Sequence, residues 1–416
     1  SIGIVDPVKE YEKRLAGTFL HSSFKKLSGK GSNFWRKHSQ LSKRAVKMWL
    51  KPIILLTSAF FLRSATCSPT PELSSLTTDY DVIVVGGGPS GLGALSSLGR
   101  IRRKALMIDS AQYRNAPTRL MHDVAGFDGV TPAYYRWSAM QQIAHYSTVS
   151  AMNGTVTSIQ PEANYTFFNV SSIELDGTAS TYTARKVILA TGLRDLVPET
   201  PGLQENFGKG VYWCPYCDGI EHADQSMGIL GPLDMVIEAA AEAITLNSDI
   251  VIFANGTDTP EYRSKADKQF AENSSEYLRR RNIKVDNRTI TRITRLQDGG
   301  AHERDPSLPM VPEHDLFRVE LDDFGRVERQ VLFTVFGSEQ RSPLGEMLGV
   351  SMANGMMEVD RISMRTNVPG IYAVGDASTD KSTNVLHSLY TGKIAVVDIQ
   401  SESTVPSAAS LESFGS

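Results

Sequence analysis

The chain has 416 residues, 41% of them hydrophobic and 21% charged, enough to bury the cores of roughly two to three domains at about 150 residues each. That composition excludes a collagen-like or disordered chain, and three cysteines exclude a disulfide framework or a four-cysteine zinc site. The net charge of −3 is uneven: residues 1–47 hold 11 Lys+Arg against 3 Asp+Glu, or +8, leaving −11 for the rest, which argues against nucleic-acid binding by the body of the chain.

The first methionine is Met48. A basic start (Met48 to Lys51), the apolar run 52–62 and the small residues around Ala65–Ser68 match a secretory signal peptide over 48–67. An ordinary buried helix and a mitochondrial presequence are the competing readings. The apolar run is too short for a membrane-spanning helix, so no stable membrane span is expected. Residues 1–47 then precede the mature protein or form a disordered tail. Asn153, Asn164, Asn169, Asn255, Asn273 and Asn287 each head a glycosylation sequon. Together with the leader they predict a secreted or secretory-pathway glycoprotein, with a mitochondrial or cytoplasmic location as the alternative. Residues 68–78 complete the 1–78 leader as a Pro/Ser/Thr linker.

Residues 81–85 are a short β-branched run, read as a buried parallel strand. Gly86, Gly88 and Gly91 follow with the spacing GxGxxG, around Pro89 and Ser90, and open a helix to about Arg100. Gly86 permits a tight turn, Gly88 lets a pyrophosphate approach the backbone, and Gly91 lets helix and strand pack closely. The helix start offers N–H groups to phosphate. The next strand, 104–109, ends at Asp109, where a carboxylate can accept ribose hydroxyls, with Ser110 beside it. A glycine-rich structural turn is the alternative reading.

Further along stand Ala190-Thr191-Gly192 and Cys214-Pro215-Tyr216-Cys217-Asp218. A Cys-x-x-Cys pair can close a small, readily reduced disulfide. A structural bridge would gain little by closing so small a loop, and half of a zinc site lacks its second pair. A second βαβ pattern covers strand 227–231, helix 235–244 and strand 249–254. Residues 262–281 read as helical, and 283–295 and 316–336 as strands. The last structured stretch, 370–400, begins inside Thr366 to Asp376, where a strand ends at Gly375-Asp376. Residues 401–416 are Ser-rich and read as a flexible tail.

From about Asp79 to Gln400 these motifs, in this order, resemble the low-molecular-weight thioredoxin reductases. The resemblance implies an α/β fold with two Rossmann-like, three-layer domains. An FAD domain (79–200 and 336–400) would be split by an inserted Cys-x-x-Cys domain (201–335), with hinges that let the cysteines alternate between flavin and substrate. It implies FAD as the cofactor, held additionally by Arg114, Asn115, Val156, Asn384 and Val385, with Asp376 on a ribitol hydroxyl. Cys217 becomes the flavin-proximal thiol, Cys214 the interchange thiol and Asp218 the neighbouring acid/base. His122 falls where the family's chain passes the flavin, although a loop histidine with a structural hydrogen bond fits equally. His387, on the last helix, is either a general base or a core histidine. The family is usually homodimeric.

The sequence departs from the reductases at their second nucleotide motif, which reads Gly231-Pro232-Leu233-Asp234. Leu233 replaces the second glycine and is expected to project where pyrophosphate approaches. Asp234 adds negative charge, and Asn255-Gly256-Thr257-Asp258 supplies no basic cluster. The chain is therefore similar in character to the fungal gliotoxin- and holomycin-type dithiol oxidases, although Asp218 stands where those enzymes often carry His. The resulting expectation is a small-molecule dithiol as reductant and O₂ as acceptor, giving H₂O₂. The alternatives are an NADPH-dependent disulfide reductase, a protein-thiol oxidase and a non-catalytic flavin sensor.

Overall fold

The computed structural model describes residues 77–269, 273–301, 308, 310–380 and 383–404. The basic leader, the signal peptide at 48–67 and its cleavage point lie outside these residues.

The first strand, Tyr80–Val85, shows why its sequence is a continuous apolar run. Val82 and Val84 enter one core cluster, while Ile83 and Val85 enter another on the opposite face. Both faces are covered from Val82 to Val85, so those four positions are apolar, while Asp81 at the strand start is only half-buried. Each such side chain contributes about 1.5–3 kcal/mol when buried. This strand sits centrally in a parallel sheet, between Ala105–Asp109 and the end of Ala179–Leu189. Val149–Glu162 and Ile371–Ala373 close the two sides. Beyond its parallel part, Val149–Glu162 continues into an antiparallel meander with Phe167–Glu174 and the start of Ala179–Leu189.

The second half repeats this plan. Five parallel strands run in the order Lys284–Asp286, Ile250–Phe253, Met227–Leu230, Val331–Thr334 and Val211–Tyr212. A three-stranded antiparallel meander, Ile290–Gln297, Leu316–Leu321 and Arg326–Arg329, accompanies them. The expected α/β fold with two Rossmann-like halves is the observed one. The second half is inserted into the first through a two-stranded ribbon, Leu193–Asp195 against Ser338–Gln340.

Three local expectations need correction. The helical reading of 262–281 resolves into two helices, Pro260–Gln269 and Ser274–Arg280, because Asn273 starts the second by accepting the N–H of Glu276 at 3.0 Å. The strand reading of 283–295 resolves into Lys284–Asp286 and Ile290–Gln297. The last helix, Val385–Thr404, runs into the stretch expected to be a flexible tail. Its final turns are held from several sides. The Ser401 hydroxyl donates to Val397 O at 2.9 Å and that of Ser403 to Ile399 O at 2.8 Å. Glu402 pairs with Lys186 of the first sheet at 3.0 Å.

One guanidinium ties the halves together. Arg119 comes from the first half and donates to Glu313, to Asp315 at 2.8 and 3.0 Å, and to Asp298 at 2.6 Å, all in the second half. Glu313 and Asp315 are buried, so their charges depend on this fork and, for Asp315, on Arg295. Removing one partner of a buried pair strands the other. Arg119→Met is therefore expected to lower stability by about 3–5 kcal/mol in urea unfolding. Arg119→Lys, which restores charge but not the fork, is expected to lose less. A neutral Arg119→Met would show that the halves do not depend on this contact.

Candidate redox site

The glycine loop, the strand ends and the start of the last helix enclose a cavity of about 350 Å³. Its floor is Gly86, Gly88, Pro89 and Ser90, with Asp109 and Ser110 at one side. Arg114, Asn115 and Val156 continue the wall, followed by Ala190, Thr191 and Gly192. Asp376, Asn384 and Val385 close it from the C-terminal side. Gly91 and Gly375 stand behind this lining. A Cβ on Gly91 would meet Gly86 O at 1.9 Å, and one on Gly375 would meet Ser90 Oγ at 2.7 Å.

The cavity fits a dinucleotide. Gly86 turns at φ +109° and Gly88 caps the helix Pro89–Arg100 with no side chain, so the helix start stays open toward the cavity. A Cβ on Gly88 would have nothing within 4 Å, whereas one on Gly87 would lie 2.3 Å from Asp109 Oδ2. The Thr191 hydroxyl is buried without a partner. Asp109 accepts the N–H groups of Gly87 at 3.0 Å and Ala111 at 3.1 Å, and the Tyr113 hydroxyl. Burial, reinforced by this carboxylate, pushes Tyr113 up to about 12. Asp109 is thus oriented by its own loop. Arg114 holds Asp376 at 2.9 Å and Asp195 at 2.6 Å, so it fixes the Asp376 carboxylate at the cavity wall.

Cys214 and Cys217 form a disulfide with sulfurs 2.08 Å apart. Cys214 caps the short helix Pro215–Asp218, and its sulfur accepts the N–H of Cys217 at 3.1 Å. Neither sulfur lines the cavity, but the adjacent Trp213 does, and Arg114 lies over its ring at 5.8 Å. Asp218 is 6% exposed. Burial lifts its carboxyl well above the ordinary range, with Glu221 and Glu313 adding repulsion and Arg119 opposing it.

The two expected histidines lie apart. His122 Nδ1 is 2.8 Å from Asp128 Oδ1 and 3.4 Å from Glu221 Oε1, beside the disulfide segment and outside the cavity lining. His387 faces Asp380 and also stands outside that lining. Reasoning from sequence missed Trp213, Glu221, His222, Glu313 and Arg119. The signal for two of them was present, since Glu221 and His222 follow Asp218 at the three- and four-residue spacing of one helical turn.

The second glycine segment behaves differently from expectation. The Leu233 side chain is wholly buried in the core of the second half, packed with neighbours such as Val236 and Ile237, and does not project toward a phosphate. The helix Leu233–Ala243 carries it on the inward face. The closure comes from other atoms. Pro232 has no N–H, and the Leu233 N–H donates to Thr257 Oγ1 at 3.0 Å. Thr257 in turn donates to Ala254 O at 2.6 Å. The nearby cations Arg263 and Lys265 are held by Asp258 and Glu261.

Two outcomes follow from this geometry. Gly87→Ala is expected to fold but to retain little FAD, measured as the ratio of flavin to protein absorbance; full loading would contradict the fit. Asp218→Asn bears on pH. A carboxyl raised above the ~3.9 of a free aspartate gives stability that is present below that value and lost as pH rises toward the raised one. The melting temperature of Asp218→Asn minus that of wild type is therefore expected to climb as pH rises above about 4. A flat or falling difference would contradict the burial argument.

Residues 80–395 match the family model for pyridine nucleotide-disulphide oxidoreductases. A protein described as "Probable thioredoxin reductase" from Arthroderma benhamiae is 44% identical over 334 residues, covering 78% of this chain and 80% of its own. The crystal structure of HlmI superposes with a TM-score of 0.64 at 30% identity, covering 79% of this chain and 96% of that one. An oxidoreductase from Agrobacterium tumefaciens gives 0.65 at 27%, covering 79% and 99%. The chain belongs to the pyridine nucleotide-disulphide oxidoreductase family, as a thioredoxin reductase-like FAD enzyme.

Proposed function

We propose that the protein oxidises a small-molecule dithiol to a disulfide and disposes of the electrons on O₂. The observation that carries this reading is the closed start of the helix Leu233–Ala243. Its first N–H is taken by Thr257, and the cations beside it are paired with carboxylates. An NADPH pyrophosphate would have to displace that cap and compete with Asp258 and Glu261 for Arg263 and Lys265.

A substrate thiol loses its proton, and the thiolate attacks Cys214 Sγ. The Cys214–Cys217 bond breaks, and Cys217 leaves as a thiolate. The second substrate thiol loses its proton and attacks the substrate sulfur of the mixed disulfide, and Cys214 leaves as a thiolate. The substrate has then lost two electrons and two protons, and the cysteine pair has gained the electrons. Bound FAD supplies a two-electron acceptor that O₂ can reoxidise, with H₂O₂ as product. The N–H of Cys217 stabilises the departing Cys214 thiolate. Asp218, buried beside the pair with its carboxyl held well above the ordinary range, serves as the local acid/base. Tyr216 is 72% exposed and Ile220 52%, giving an apolar approach to the disulfide.

A second reading, an NADPH-dependent disulfide reductase, is favoured by the name of the Arthroderma benhamiae relative. Anaerobic titration of the FAD-loaded protein separates the two. Dithiothreitol is expected to bleach the flavin and NADPH is not, and admission of air is expected to restore the colour with H₂O₂. Cys214→Ser and Cys217→Ser are each expected to abolish bleaching by dithiol, and Asp218→Asn to slow it by about 10²-fold. Bleaching by NADPH alone would establish the reductase instead.

A further inference from the structure

A second acid is buried behind the disulfide. Glu221 lies in the short turn Ile220–His222, three residues beyond Asp218. It is 3% exposed, and neither of its carboxylate oxygens has a hydrogen-bond partner. Burial strips hydration from an ionised carboxylate there and raises its hold on a proton, with His122 opposing the rise.

The groups around Glu221 differ in kind. Asp218, next to Cys217, lies close enough that its carboxyl and that of Glu221 repel each other. Glu313 accepts from Arg119 and from the Tyr212 hydroxyl at 3.0 Å, which keeps its oxygens occupied. The His222 ring is buried, with Nδ1 3.2 Å from Gln225 and Nε2 3.9 Å from Glu313. On the outer side, His122 Nδ1 stands 3.4 Å from Glu221 Oε1 and 2.8 Å from Asp128 Oδ1. Asp128 is 42% exposed at its side chain and meets solvent.

We propose that Glu221 carries protons between Asp218, at the disulfide, and solvent at Asp128, by way of His122. One proton enters at Asp218 for each that leaves at Asp128, and no electrons travel this path. The same imidazole nitrogen faces both carboxylates, so it takes a proton from one and gives it to the other. A purely structural clamp would direct the histidine N–H at Glu221. Here the nearer partner is Asp128 at 2.8 Å, and Glu221 stands farther off at 3.4 Å. Glu221 touches neither sulfur; it acts through Asp218. The inference rests on the proposed function only in giving Asp218 the acid/base role, since disulfide reduction and dithiol oxidation both move protons there.

The test follows flavin bleaching anaerobically in FAD-loaded protein, using whichever of dithiothreitol and NADPH bleaches wild type. Its outcome is thereby separate from the choice of donor, on which the functional reading turns. Glu221→Gln is expected to slow bleaching about tenfold or more at neutral pH, to flatten the pH profile, and to recover as imidazole is added. Glu221→Asp is expected to keep the wild-type profile without imidazole. Should Glu221→Gln fail to load FAD, His122→Asn breaks the same path further out and is expected to show the same imidazole-dependent recovery. A variant that keeps the wild-type rate and profile, or one that is slowed with an unchanged profile and no recovery, overturns the relay.

Discussion

Two helices of this chain begin where a dinucleotide fold receives phosphate, and they begin differently. The helix Pro89–Arg100 starts at Gly88 with no side-chain cap and faces an open cavity. The helix Leu233–Ala243 starts behind Pro232, with its first N–H spent on Thr257. An N–H already bonded inside the protein offers an anion only what remains after that bond is broken. The first half therefore has the means to hold its nucleotide, while the second keeps the sheet and core of a nucleotide domain without the open end. The proposed source of electrons follows from that asymmetry.

Around the cysteines the chemistry of sulfur and the chemistry of protons occupy different sides of one short segment. Pro215–Asp218 presents the disulfide and exposed Tyr216 outward. The residues that follow turn inward, where Asp218, Glu221 and His222 meet Glu313 and Tyr212. Burial and mutual repulsion raise the proton affinity of Asp218 and Glu221 in this small volume. Arg119 neutralises only part of this cluster. The guanidinium thus serves two ends: it sets the local charge, and it ties the inserted half to the first. A hinge rotation of the kind expected for the family would have to release that fork from three carboxylates.

Much of this was legible in the sequence, because backbone constraints are local. Gly86, Gly88 and Gly91 announce the loop, Cys214 and Cys217 the disulfide, and Gly375-Asp376 the far wall of the cavity. What could not be read depends on distant partners or on which way a helix faces. Leu233 was identified as the odd residue, yet its spacing did not reveal that it turns into the core and leaves closure to Thr257, 24 residues away. Glu221 lay in plain view, but its significance needs His122 and Glu313 from other parts of the chain. The final turns at 401–404 looked frayed from their serines. They hold because those hydroxyls bond back along the helix and Glu402 finds Lys186. The antiparallel meander over 149–184 carries the alternation of half-buried strands, clearest in Phe167–Glu174, and that period was open to reading.

The central claim concerns occupancy of the second nucleotide position, and equilibrium binding addresses it without turnover. Calorimetric titration of NADPH into the oxidised, FAD-loaded protein is predicted to give no saturable heat, corresponding to a Kd weaker than about 1 mM. Saturable one-to-one binding with a Kd of about 10 μM or tighter would contradict it.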